Sequence, residues 1–225
     1  MEEVEGLEPE VGEAALALAR RTVERDAAAV AAVLPQLGES FLDALRLLLS
    51  CRGKVLVTGM GTSGATARRI AHLLSVGGTP AVFVHAADGL HGGLGAVTPA
   101  DCVIAISKGG ESDELNEYVR RVRERRARVL TMTATPESTL ALLGDVRLVI
   151  ETPAGVDPGN MIAMGSALAM CSVGDALTVA LMEIRRYPWE AFMRTHPGGA
   201  VGHRIQRGDS PPGGVVSRSD ATDRG

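Results

Sequence analysis

The chain has 225 residues, enough for one α/β domain with short extensions, and a formal net charge of −4. Apolar residues make up 45% and charged residues 22%, as in an ordinary globular protein, whereas aromatics are only 3%, too few for a surface that binds nucleic acid by base stacking. No uninterrupted apolar run reaches the ~20 residues of a membrane span, the acidic start MEEVEGLEPEVGE is unlike a signal peptide, and the three cysteines are scattered, so a cytoplasmic protein with reduced thiols and no membrane or nucleic-acid partner is expected.

Apolar positions at helical spacing run through residues 10–34, and Pro35 and Gly38 break the pattern before a second helical stretch at 41–51. The two read as an N-terminal helical hairpin, packed outside the sheet or against a partner chain. The period then changes. Short β-branched runs at 54–58, 81–85, 101–107, 128–133 and 147–151 alternate with helical segments at 65–76 and 113–125. This alternation predicts βαβ units and a five-stranded parallel sheet with helices on both faces, a three-layer sandwich. The apolar stretch 161–181 is interrupted by Ser166, Ser172, Gly174 and Asp175 and reads as a buried helix, with one further helix near 188–194. The segment 207–225 is rich in Pro, Gly and Ser and is expected to be disordered. The expected organisation is therefore a helical extension over 1–53, the α/β domain over 54–206 and a tail.

Open parallel sheets bind ligands beyond the carboxyl ends of their strands. The first strand is followed there by Gly59-Met-Gly-Thr-Ser-Gly64 and the third by Ser107-Lys-Gly-Gly-Glu-Ser112, each opening a helix. Glycines allow close backbone approach, and helix N-termini attract anions through free N–H groups. Gly61, Thr62 and Ser63 from the first loop, and Ser107, Lys108, Gly109 and Ser112 from the second, are candidate phosphate and substrate contacts. Thr133, ending the fourth strand, adds a hydroxyl to the same edge. The third glycine comes too early for a dinucleotide fingerprint and no Walker A lysine is present, so a small phosphorylated ligand fits better than a nucleotide cofactor.

Residues 54–206 resemble the sugar isomerase (SIS) domain of arabinose 5-phosphate isomerases. The stretches that carry the resemblance are VTGMGTSG (57–64), TPAVFVHAADGLHGGLGAVTPADCVIAIS (79–107), GGES (109–112), GDALTVAL (174–181) and THPGGAVG (195–202). The resemblance implies a flavodoxin-like fold, a sugar-phosphate substrate, no cofactor, no metal, and a homotetramer or dimer in which neighbouring subunits complete each other's sites. Family members often continue into a pair of CBS domains; a form without them is expected here.

The resemblance also implies an enediol mechanism with Glu111 as base, His196 as acid/base for ring opening or proton transfer, and His91 orienting hydroxyls. The chain departs from the family pattern at several positions. Thr62 stands where the isomerases have an active-site lysine, Lys108-Gly109 replace Asn-Ser, and Gly155 falls near a family glutamate, with Glu151 and Asp157 as nearby carboxylates. These changes leave two readings: an isomerase of an arabinose 5-phosphate/ribulose 5-phosphate type of sugar or of a longer ketose phosphate, and a SIS domain that senses a sugar phosphate without turnover. His72 and His203 have no distinctive context, His85 ends the second strand, and His85, His91 and His196 do not form a recognised metal-ligand pattern.

Overall fold

A computed structural model describes residues 8–199 together with Gly202, His203 and Arg207. Five strands form one parallel sheet: β1 (Val55–Gly59), β2 (Ala81–Phe83), β3 (Cys102–Ile106), β4 (Arg128–Thr133) and β5 (Val146–Val149), in the order β2-β1-β3-β4-β5. This is a flavodoxin-like order, the fold that the resemblance implies.

β1 and β3 are buried at every position, as their continuous apolar runs require of strands covered on both faces. Alternate residues feed two cores. Val55, Val57, Ile104, Ile106, Leu130 and Met132 face α2 (Glu39–Ser50), α3 (Gly61–Val76) and α7 (Gly165–Ile184). Leu56, Val103, Ala105 and Val129 face α4 (Ala86–Leu90), α5 (Asp113–Glu124) and α6 (Thr139–Leu143). β2 is an edge strand, and its Val82 is exposed.

The N-terminal pair is α1 (Pro9–Ala31) and α2, between which the chain turns by 83° through a 3-10 turn at Leu34–Gln36. α1 packs on α7, with Ala29 against Gly165. α2 lies directly on β4 and β5 and buries Ala44, Leu45, Leu47 and Leu48 in the core. α7 is long and apolar enough to cross a membrane by length and composition. Here it packs against α1, α2 and α3, and a side chain at Gly174 would run into Ile70.

Several boundaries differ from the sequence reading. α3 begins at Gly61 rather than 65, so Gly61, Thr62 and Ser63 form its first turn instead of a loop. β2 ends at Phe83, and His85 becomes the residue before α4. β3 begins after Asp101, whose carboxylate accepts from Lys54 N, Thr98 N and Thr98 Oγ1 and so ends the preceding turn. α4 and α6, five residues each, were not expected; one turn is too short to show a helical period. After α7 comes the short helix α8 (Trp189–Thr195). The tail expected at 207–225 lies, Arg207 aside, outside the described residues, as do parts of the THPGGAVG stretch.

Candidate functional site

The chain leaves β1 through α3 toward β2 and takes up β3 on the opposite side, so the sheet's switch point lies between β1 and β3. Gly59 pairs with Ile106, which sets Met60 and Ser107 side by side beyond the strand ends.

After β1, extended Met60 precedes α3, and Gly61 adopts a φ of 53°, a left-handed conformation that favours glycine. Gly59 has no room for a side chain: a Cβ there would lie 2.7 Å from the Ser63 carbonyl and 2.9 Å from that of Ile106. A Cβ on Gly64 would lie 2.8 Å from the Gly59 carbonyl. The two glycines thus let α3 start tight against β1. Gly61 and Thr62 are exposed, Ser63 is half-buried, and no side chain caps the helix. Its N–H groups and positive dipole end face outward, an arrangement suited to an anion.

After β3, the loop is held by its own polar groups. Ser107 Oγ accepts from Gly110 N at 3.1 Å. Gly110, at a φ of 73°, packs against Ser138, and its carbonyl accepts from Asn116 Nδ2 and Leu140 N. Thr133 is fully buried; its Oγ1 donates to the Lys108 carbonyl at 3.0 Å and accepts from Thr135 N at 3.1 Å. The hydroxyls of Ser107 and Thr133 therefore shape the loop. Gly109 is exposed, and Ser112 is the residue before α5.

The Glu111 carboxylate accepts from Thr139 N at 2.8 Å, at the start of α6, where Ser138 Oγ accepts from Ala141 N. That backbone hydrogen bond holds the Glu111 carboxyl below its ordinary value.

Lys108 reaches away from the switch point to the loop after β5. Its Nζ donates to Asp157 Oδ2 at 2.7 Å and to Asn160 Oδ1 at 3.0 Å. Asp157 is 3% exposed. Its Oδ1 accepts from Met164 N and Ser166 N, and its Oδ2 from Ser166 Oγ at 2.6 Å, so it also ties down the start of α7. Burial pushes the Asp157 carboxyl up, but Lys108, Ser166 and the two N–H groups together hold it down to about 2. From below, Gln36 fixes the same loop by two hydrogen bonds, accepting from Glu151 N and donating to Glu151 O, both at 2.8 Å.

These contacts frame a cleft of about 500 Å³ lined by Lys108, Ala134, Glu151, Gly155, Asp157 and Asn160, among others. Its size suits a small ligand. Asp157, Asn160 and Gln36 were not among the sequence candidates for this site, although Asp157 stood out as a nearby carboxylate.

The histidines lie elsewhere. His91 is exposed at the end of α4. His85 meets the edge of Phe83, whose face is covered by Arg68 at 4.1 Å. His196 follows α8, stacked on Phe192 at 4.1 Å, with Nδ1 donating to the Phe192 carbonyl at 2.9 Å. Neither they nor Glu111 line the cleft. Among the described residues, no group of three or more His, Cys, Asp or Glu is placed to hold a metal ion.

The curated relatives include the arabinose 5-phosphate isomerase KdsD of Pseudomonas aeruginosa, 37% identical over 187 residues that cover 83% of this chain and 57% of the relative. KdsD of Escherichia coli K12 is 38% identical over 169 residues, covering 75% of this chain and 52% of the relative. The chain thus spans little more than half the length of these relatives. Among solved structures, the c3406 protein of E. coli CFT073 in complex with arabinose 5-phosphate superposes with a TM-score of 0.79 at 30% identity, covering 82% of this chain and 98% of that one. The sequence pattern of the SIS domain matches residues 48–180, from the end of α2 through most of α7. On the fold, the two switch-point loops and this match, the chain belongs to the SIS domain family.

Proposed function

We propose that this chain is a cofactor-free aldose–ketose isomerase of a phosphorylated sugar, of the arabinose 5-phosphate/ribulose 5-phosphate type or a longer ketose phosphate. The observation that carries the reading is the junction at the switch point, where the exposed, uncapped N-terminus of α3 stands beside the Lys108 loop. A helix N-terminus can hold a phosphate on a chain whose net charge is negative. The cleft that Lys108 lines has room for a short sugar chain. The KdsD names of the relatives and the arabinose 5-phosphate bound in the E. coli CFT073 structure support the substrate class.

Isomerisation through an enediol needs a base that moves one proton between C1 and C2 and a group that assists ring opening. Glu111 is the proposed base: its hydrogen bond from Thr139 N fixes the carboxylate in place and keeps it ionised. His196 donates from Nδ1 to a carbonyl, which leaves Nε2 as its basic nitrogen, in keeping with an acid/base role. His91 would orient hydroxyls. These three side chains do not gather around the cleft of one chain, so the proposal includes a homotetramer or dimer with shared sites. The exposed Val11, Leu16, Leu18 and Val23 of α1, together with Met161, 88% exposed, support contact with further copies. A cytoplasmic location is part of the same proposal and is supported by three free cysteines.

One observation favours the second reading, a sugar-phosphate sensor. The Asp157 carboxylate, which lines the cleft, is already engaged by Lys108 and Ser166. Both readings require phosphate recognition. Thermal shifts measured with sugar phosphates and with the same sugars lacking phosphate test that shared requirement. Stabilisation by the phosphorylated forms alone, competed by inorganic phosphate, is expected. Equal effects from both series would remove the phosphate site from the proposal.

A further inference from the structure

We infer that Cys51 and Cys102 form an oxidation-sensitive thiol pair, a modification site at the amino-terminal edge of the sheet that closes to a disulfide when a peroxide reaches it. The sequence separates the two cysteines widely, but the fold brings them to one backbone crossing. Cys51 ends α2, and Cys102 opens β3. Arg52 N and Gly53 N both donate to the Ala100 carbonyl, at 3.2 and 2.7 Å, so residues 51–54 and 100–102 run side by side.

The Lys54 carbonyl sits between the two cysteines. The Cys51 thiol approaches it at 3.5 Å, and Cys102 N donates to it at 3.1 Å. The Cys102 thiol points back to α2 and donates to the Leu47 carbonyl at 3.7 Å, one turn before Cys51. Cys51 is half-exposed, whereas Cys102 is buried. An oxidant therefore reaches Cys51 first, and Cys102 is shielded until the pair closes. The Cys102 thiol is also the strongest single influence on Cys51, stabilising its thiolate, the form that reacts.

The chemistry balances with a peroxide as oxidant. The Cys51 thiol gives up its proton, the thiolate attacks one peroxide oxygen, the O–O bond breaks, and Cys51 becomes a sulfenic acid while the departing hydroxide takes up that proton as water. Cys102 sulfur then attacks Cys51 sulfur; the S–S bond forms, the S–O bond breaks, and the departing hydroxide takes the Cys102 proton as a second water. Two thiols and one peroxide give one disulfide and two waters. The bond would tie α2 to β3 far from the strand ends that carry the candidate site, so it would act on stability and leave the cleft alone.

The test uses the full-length protein, fully reduced and then treated with hydrogen peroxide. Expected are a loss of two hydrogen masses per chain, a peptide linking Cys51 to Cys102, and a rise in thermal midpoint that dithiothreitol reverses. Cys51→Ser is expected to abolish the link while Cys171 remains. Addition of oxygen atoms at Cys51 without a link, or a link formed only through Cys171 between chains, would overturn the inference. The wild-type mass and peptide map decide it even where Cys51→Ser fails to fold.

Discussion

The Lys108 ammonium lies 2.7 Å from the buried Asp157 carboxylate and so ties the loop after β3 to the loop after β5. The lysine side chain is 30% exposed and the aspartate side chain 2%, so the pair is shielded from solvent screening. Asp157 also holds two N–H groups and a hydroxyl at the start of α7. Removing one partner should therefore cost more than a surface ion pair. Asp157→Ala is expected to destabilise by about 3 kcal/mol, because it leaves buried donors unsatisfied. Lys108→Met should cost about 2 kcal/mol, since water can still reach part of the site it vacates. A double-mutant cycle in denaturant should return a coupling of about 1–3 kcal/mol.

The same pair sets an acid limit. The Asp157 carboxyl is held down to about 2 in the fold, below the ordinary aspartate value of about 3.9. A depressed carboxyl contributes its stability above the unfolded value and loses it as pH falls toward the folded one. Unfolding free energy should therefore drop by about 2 kcal/mol between about pH 5 and pH 2 from this group alone. The drop should be largely missing in Asp157→Asn when both proteins are titrated by urea unfolding across that range.

At Gly59 the constraint is steric. A methyl group there would press on the Ser63 and Ile106 carbonyls, which are backbone and cannot swing aside. Gly59→Ala should cost about 2 kcal/mol or more and shift the start of α3. Ligand-induced stabilisation by sugar phosphates should fall with it. Unchanged thermal shifts would show that the α3 N-terminus is not the phosphate site.

Glu111→Gln separates catalysis from structure. Glutamine keeps an oxygen to accept from Thr139 N, so the thermal midpoint should move little. It lacks the charge of a base, so turnover should fall by about 10² or more. Intact turnover would remove Glu111 from the role of base.

Much of this was legible in the chain. β1, β3 and β4 announce themselves as β-branched apolar runs because the central strands are buried on both faces. The first glycine-rich segment marks the switch point because close helix–strand packing leaves only hydrogen at Gly59 and Gly64. α3's true start was hidden by those same glycines, which read as loop. The Asp157 network was not legible, because its partners Lys108 and Ser166 are 49 and 9 residues away and nothing local marks the contact. The pairing of Cys51 with Cys102 was invisible for the same reason: it arises where the end of α2 crosses the start of β3.

Isomerase and sensor part at one observable, exchange of the substrate's C2 hydrogen. Arabinose 5-phosphate and longer aldose phosphates incubated with the protein in heavy water, followed by NMR, should give ribulose 5-phosphate or the longer ketose with deuterium at C1, and the aldose that remains should acquire deuterium at C2. Thermal stabilisation by the same compounds with neither ketose nor deuterium in the sugar would contradict an enediol isomerase and leave a sensor.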